Sequence, residues 1–283
     1  MRTTTHAVAT AAASLAAPAA FASGARFNLQ QPVTAIATDI YSMHTLMMVI
    51  CLFIFLIVFG VMFWAVFNHR KSKGAVASHF HENTTVEIVW TIIPVLILAG
   101  MAWRATRTII AMKDTTDSDI TIKATGYQWE WGYDYLKGEG EGVHFISVLS
   151  TPRDQIEGNA PKNENYLLEV DKPLVVPVGK KIRLLATAND VIHSWWIPSL
   201  GGKVDAVPGY TTYTWFKAPK AGALFHGNCA QLCGRQHAFM TALVQVVTPA
   251  EYQAWLTRQQ QLIQKANSQV TQLRSYLMAT GNL

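Results

Sequence analysis

Two long apolar runs joined by a short basic loop constrain this chain more than any other feature. The first, residues 41–67, contains MMVICLFIFLIVFGVMFWAVF and carries no Asp, Glu, Lys or Arg. The second, residues 86–110, contains IVWTIIPVLILAGMAW. A helix needs roughly 20 predominantly apolar residues to cross the hydrocarbon of a bilayer, and both runs are long enough. Trp90 and Trp103 stand near the two ends of the second run, where amphipathic rings favour the headgroup region. Pro94 falls early in it, where a lost backbone donor is least costly. The alternative, two buried helices of a soluble protein, is disfavoured by the polar loop between two such runs. Composition agrees. Half of the 283 residues are apolar and only 14% are charged, against about 25% in an ordinary soluble domain.

The orientation of this hairpin follows from two independent signals. Arg2, the Ala-rich stretch after it and Ala20-Phe21-Ala22 fit a secretory signal over residues 1–22 with a small-x-small cleavage site, leaving residues 23–40 as the mature N-terminal segment. An Ala-rich tail is the alternative reading of that stretch. The loop NHRKSKG holds Arg70, Lys71 and Lys73, and positive loops prefer the cytoplasm. Both signals give an out–in–out path, so everything after about residue 113 faces outward. The net charge of +5 does not point to nucleic acid, because no basic run alternates with aromatics.

From residue 113 to 248 the pattern changes to period two. DITIKATG, YQWEWGYDYL, GVHFISVLS, NYLLEV, KPLVVPV, KIRLLATA, TTYTWFKAP and TALVQVV read as strands between Gly, Pro, Asn and Asp punctuation. Many short strands in such a span predict an all-β sandwich or barrel. Residues 249–283, rich in Gln, Ala and Leu, predict a helical tail lying on the domain or on a partner.

The chemistry is concentrated in Cys229-Ala-Gln-Leu-Cys233-Gly-Arg-Gln-His237-Ala-Phe-Met240. Two thiolates, an imidazole and a thioether form a soft donor set that selects copper over magnesium or calcium. His193, in Asp190-Val-Ile-His193-Ser-Trp-Trp, offers a second imidazole just after a predicted strand. A mononuclear blue-copper site needs one Cys, two His and a weak Met. This set has one Cys more, and two thiolates can bridge two metal ions. A disulfide between the two cysteines leaves His237 and Met240 unexplained. A structural zinc site makes poor use of Met. Cys51, inside the first apolar run, reads as an ordinary small apolar residue.

The pattern Cys-x-x-x-Cys-Gly-x-x-His-x-x-Met, preceded by Asp-Val-x-His-Ser-Trp, resembles the copper A signature of the cytochrome c oxidase subunit II family. The resemblance extends from about residue 40 to 247, through the hairpin, the Gln-Trp-x-Trp-x-Tyr segment and Lys203-Val-Asp205-Ala-Val-Pro-Gly. It implies a cupredoxin-like β-barrel anchored by the two-helix hairpin, in the inner membrane of a bacterium with the copper domain on the periplasmic side. It implies that Cys229 and Cys233 bridge two coppers, that His193 and His237 bind one each, and that Met240 and the backbone carbonyl of Gln231 complete the set. The implied partners are the catalytic haem–copper subunit I, a subunit III, a cytochrome c donor and membrane lipid. Catalysis of O2 reduction with proton pumping belongs to the partner subunit, since this chain has neither a polytopic His-rich bundle nor a Cys-x-x-Cys-His haem motif.

The same resemblance assigns Trp129 as the point where electrons enter and Glu87 as a feeder of the catalytic subunit's proton pathway. Trp131 and Tyr133 read as one packed face of a strand. Asp190, three residues before His193, is the leading carboxylate for docking a lysine-ringed cytochrome c. Gln231 stands where the family has Glu, whose side chain helps bind magnesium at the boundary with subunit I. A neutral amide is the weaker ligand for a hard cation, which counts against magnesium here. Two rival functions are a membrane-tethered copper carrier and a copper-free quinol-oxidase-type subunit. The intact donor set argues against the second, and an anchor of two helices rather than one argues against the first.

Overall fold

A computed structural model describes residues 28–77, 81–217 and 220–280. The expected signal, residues 1–22, lies outside the described residues. The apolar runs form two helices, α1 (Ala35–Asn68) and α2 (Thr84–Lys113), both longer than the runs themselves. Their outward ends continue as helix because the chain there is capped and packed. Thr34 caps α1, its Oγ1 accepting from the Ala37 N–H at 3.1 Å, a contact worth about 1 kcal/mol. Asn83 caps α2 in the same way through Val86 at 3.1 Å. Between the helices, Lys71–Lys73 form a single 3-10 turn. The apolar helix surfaces are exposed along their length, as a lipid-facing hairpin requires.

The domain after α2 contains, among the described residues, ten strands: β1 (Ile120–Tyr127), β2 (Glu130–Lys137), β3 (His144–Ser147), β4 (Leu174–Pro177), β5 (Lys181–Ala188), β6 (His193–Trp195), β7 (Val204–Ala206), β8 (Thr212–Lys217), β9 (Ala223–Asn228) and β10 (Thr241–Val247). They form a five-stranded sheet in the order β3-β2-β1-β5-β8, a three-stranded sheet β4-β10-β9 and a ribbon β6-β7. β1 and β5 run parallel, as do β4 and β10. One core cluster unites both sheets, from Ile122, Tyr133 and Leu184 to Leu174, Val244 and Phe225. β5 alternates strictly between buried and half-buried positions. β10 is buried on nearly every residue, being the central strand between β4 and β9 with its side chains in the shared core.

One expected strand is absent. NYLLEV forms turns and only an isolated bridge, Leu149 with Val170. Its alternation is overridden because Leu167 adopts φ of 61°. Thr151 Oγ1 accepts from the Leu167 N–H at 3.0 Å and Thr241 Oγ1 donates to the Leu167 carbonyl at 2.7 Å, so side chains take the place of a ladder. A short helix, α3 (Arg153–Glu157), precedes this segment.

The tail forms the expected helix, α4 (Pro249–Ala279), opened by a capping box between Thr248 and Glu251. Its first turns lie on the domain: Tyr252 and Leu256 are buried, and Trp255 packs on Tyr135 and Phe145.

Among the described residues, the start of α1 and the end of α2 both contact the domain. At the start of α1, the Val33 N–H donates to the Ser199 carbonyl at 3.0 Å and Thr34 Oγ1 donates to the Leu200 carbonyl at 2.8 Å. Ile36 and Ala37 are buried there. At the end of α2, Trp215 Nε1 donates to the Ala111 carbonyl at 2.9 Å, and Lys113 reaches the Tyr213 carbonyl at 3.3 Å.

Candidate metal centre

Three segments converge at the pole of the domain where β1 ends. Strand β6 brings His193. The loop after β9 brings Cys229, Gln231 and Cys233. A 3-10 turn, His237–Phe239, brings His237 and leads to Met240. Backbone bonds tie the three together: the Cys229 N–H donates to the Met240 carbonyl and the Ala230 N–H to the Ser194 carbonyl, both at 2.9 Å.

The six expected ligand groups are brought into one cluster. Cys229 Sγ lies 3.8 Å from Cys233 Sγ, well beyond the roughly 2.05 Å of a disulfide, and both are free thiols. His237 Nδ1 stands 3.6 Å from Cys233 Sγ, and the Gln231 carbonyl 3.1 Å from Cys229 Sγ. His193 Nδ1 lies 3.1 Å from Met240 Sδ, and its ring lies within 4.8 Å of both thiols by their nearest ligand atoms. His193, Cys229, Cys233 and Met240 are all buried.

The two thiols differ in their electrostatics. Burial raises both thiols. For Cys229, hydrogen bonds from His193 and nearby backbone outweigh burial and bring the thiol well below its ordinary value. For Cys233, burial and the adjacent Cys229 charge act together and push it up. Cys229 is therefore the readier thiolate, and ionising Cys233 beside it demands neighbouring positive charge. A soft cation held by these sulfurs and imidazoles would meet that demand, and the residues fit copper.

The imidazole of His193 is fixed from behind. Its Nε2 lies 2.8 Å from Asp190 Oδ1, leaving Nδ1 to face the thiols. Asp190 also accepts from the N–H groups of Val191 and Gln128, both at 2.7 Å. Partial burial raises the Asp190 carboxyl, but the bonds from His193, Val191 and Gln128 outweigh it and hold it below the usual range. A carboxylate behind a ligand imidazole sets its tautomer and aim. The Asp190 side chain, assigned from sequence to docking, is 29% exposed, and most of its acceptor capacity is turned inward. The sequence showed an Asp three residues before His193, but not the contact between them.

Trp129 sits over the cysteine loop. Its indole Nε1 donates to the Cys233 carbonyl at 3.3 Å, and Gln128 Nε2 donates to the same oxygen at 2.7 Å. Gly234, with φ of 125°, passes beneath: a Cβ there would stand 2.9 Å from Gln128 Nε2 and 3.0 Å from the Trp129 ring. Gly126 lets the His193 imidazole lie close against β1, since a Cβ on it would meet His193 Cδ2 at 2.6 Å. Trp131 and Tyr133 are fully buried core residues, as their alternation predicts. Leu232, at 77% exposure, is an apolar tip of the same loop that sequence reasoning did not single out. Glu87 lies far from this pole, exposed in the first turn of α2.

A β domain with a sulfur–imidazole cluster at one pole, carried on a two-helix hairpin, is the build of a membrane-anchored electron-transfer metalloprotein. Residues 120–247 match the family of the cytochrome c oxidase subunit II periplasmic domain, and residues 22–106 the transmembrane domain of the same subunit. Cytochrome c oxidase subunit 2 of Cereibacter sphaeroides is 33% identical over 267 residues, covering 89% of this chain and 84% of that protein. A probable cytochrome c oxidase subunit 2 of Rickettsia bellii is also 33% identical, covering 82% and 83%. The crystal structure of the periplasmic domain of cytochrome oxidase subunit II of Bradyrhizobium japonicum is 40% identical, with a TM-score of 0.45, over 51% of this chain and 96% of that one. The chain belongs to the cytochrome c oxidase subunit II family and is the electron-entry subunit of that oxidase.

Proposed function

We propose that this chain takes electrons one at a time from a cytochrome c at a binuclear copper centre. It passes them to the haem of a separate catalytic subunit I, with a subunit III alongside. The observation that carries this reading is the pair of unlinked, buried thiols 3.8 Å apart, with an imidazole near each. Copper bound there supplies one-electron redox chemistry shared between two ions. Cys229 and Cys233 would hold the copper through their sulfurs. His193, His237, Met240 and the Gln231 carbonyl complete the set, and Asp190 holds the His193 ring. Trp129 links solvent to the ligand loop through one hydrogen bond, so it serves as the point of electron input. The exposed amide of Gln231 offers no carboxylate, and a magnesium ion at the subunit boundary is not part of the proposal. In this reading the signal is removed after residue 22, and the hairpin sits in a bacterial inner membrane with the metal pole on the periplasmic side.

The test is metal analysis with electron paramagnetic resonance of the oxidised chain. Two coppers per chain and one unpaired electron spread over both nuclei are expected. One copper per chain, or a spectrum localised on one nucleus, overturns the binuclear reading.

Glu87 gives a second, separate test. It is the acidic residue in the first turn of α2, at the cytoplasmic end, with Asn83 capping beside it. An ionisable group at the edge of an apolar membrane helix is a functional hypothesis by default. In the assembled oxidase, Glu87→Gln keeps size and polarity but removes titration. Turnover is expected to fall while copper reduction by cytochrome c stays at the wild-type rate, with proton uptake slowed more during reduction of the active site than during its reoxidation. Wild-type turnover in the Gln variant makes Glu87 an interfacial anchor.

A further inference from the structure

Just below the β domain, a polar cavity of about 410 Å³ opens between α1 and α2, lined by Asp39, Met43, Arg104, Arg107, Thr108 and Ala111. Its depth in the membrane follows from both helices separately. The unbroken apolar run of α1, residues 46–67, spans roughly 33 Å at 1.5 Å per residue. That covers a hydrocarbon layer of about 30 Å and leaves Ser42 and Met43 just beyond its outer edge. On α2, the stretch from Asn83 to Arg104 spans roughly 33 Å by the same count. The cavity therefore lies where the outer-leaflet phosphates lie.

Its charges are uncommitted. Arg104 and Arg107, three residues apart, project from one face of α2. Both are exposed, and neither forms an ion pair among the described residues. Arg104 Nη2 makes a single contact, to Ser42 Oγ at 3.2 Å. Thr108 Oγ1 donates to the Arg104 carbonyl at 3.3 Å, which holds that turn of α2 closed. Asp39, exposed on α1, lines the same cavity and is likewise unpaired among the described residues. Guanidinium groups at the hydrocarbon edge call for an anion, and their planar fork matches phosphate oxygens. A purely anionic ligand would be repelled by Asp39. A headgroup with a phosphodiester and a primary ammonium satisfies all three side chains at once.

We propose that Arg104, Arg107 and Asp39 form a binding site for an outer-leaflet aminophospholipid, with its phosphodiester on the two guanidiniums and its ammonium on the Asp39 carboxylate. The ammonium must carry N–H groups, since a carboxylate accepts hydrogen bonds and a quaternary ammonium donates none. The site uses the membrane placement of the hairpin and is independent of the metal centre.

The test uses the full chain in nanodiscs of phosphatidylcholine doped with phosphatidylethanolamine or phosphatidylglycerol, followed by native mass spectrometry of retained lipid. Wild type should retain phosphatidylethanolamine in preference to both other lipids. Arg104→Gln and Arg107→Gln should each lower its retention about fivefold, from the roughly 1 kcal/mol that one basic side chain contributes at a lipid surface. Asp39→Asn should abolish the preference over phosphatidylcholine and raise retention of phosphatidylglycerol. Copper content, read on the same samples, should be unchanged in all three variants, so failure here is separable from failure of the metal reading. Equal retention of the three lipids, preference of the wild type for phosphatidylglycerol, or no effect of Arg107→Gln overturns the proposal. So does an assembled oxidase that retains none of this lipid, which would place a partner subunit in the cavity.

Discussion

Cys229→Ser and Cys233→Ser each leave the purified chain with no bound copper, against two ions per wild-type chain expected from the proposed centre. The cause is chemical rather than architectural. Serine fills nearly the same volume, and both positions are buried in the core cluster, so the fold should survive with unchanged circular dichroism. A serine alkoxide, however, is too hard and too basic to replace a bridging thiolate. Removing either sulfur also removes one of the soft donors that favour copper at the site. The remaining imidazoles and thioether then hold at best a loosely bound ion that dialysis against a chelator removes. Retention of two coppers by either Ser variant means that the bridging role is wrong and that the sulfurs are spectators.

Trp129→Gln slows reduction of the centre by cytochrome c while copper content stays at the wild-type level. The structural ground is the hydrogen bond from Nε1 to the carbonyl of Cys233, which couples a half-buried ring to the ligand loop. The expected fall in the second-order rate is about one to three decades, the span over which rates at one interface ordinarily vary. Because Trp129 also packs against the core, Trp129→Phe is the companion variant. It keeps the ring and most of the packing but loses the N–H, so it separates the aromatic surface from the hydrogen bond. Stopped-flow reduction at the wild-type rate in the Gln variant excludes Trp129 as the input point. The same experiment at rising ionic strength addresses Asp190 and its neighbours. Charge steering raises association rates and is screened by salt, so the wild-type rate should fall. A flat salt profile points instead to an apolar contact, for which exposed Leu232 is placed.

The hairpin and the ligand cluster were legible in sequence for the same reason: each is specified by local residue chemistry. Twenty apolar residues can do little except span or be buried, and two Cys, a His and a Met within twelve residues converge on any compact loop. The helix ends were less legible. Residues 35–40 and 111–113 are helical because Thr34 caps one end and the domain holds the other, and neither contact can be read from hydropathy. NYLLEV alternates like a strand, but its partners turned out to be the hydroxyls of Thr151 and Thr241, distant in sequence. Strands β6, β7 and β9 were overlooked because they are short or interrupted by glycine. Asp190 was read by its charge alone. Its work on His193 depends on how β6 leaves the preceding loop, and that is a property of the fold.

The double attachment of hairpin to domain carries a mechanical consequence. A rigid body on one tether can swing in every direction, whereas one pinned at two separated points keeps only a rocking motion about the line between them. Here the pins are the Val33–Thr34 contacts on one helix and the Trp215 contact on the other. A single further contact, made by any neighbouring subunit off that line, removes the last freedom. Little orientational entropy is then left to lose when the complex assembles, and the pole that receives the electron is set in place by the membrane helices before any partner arrives.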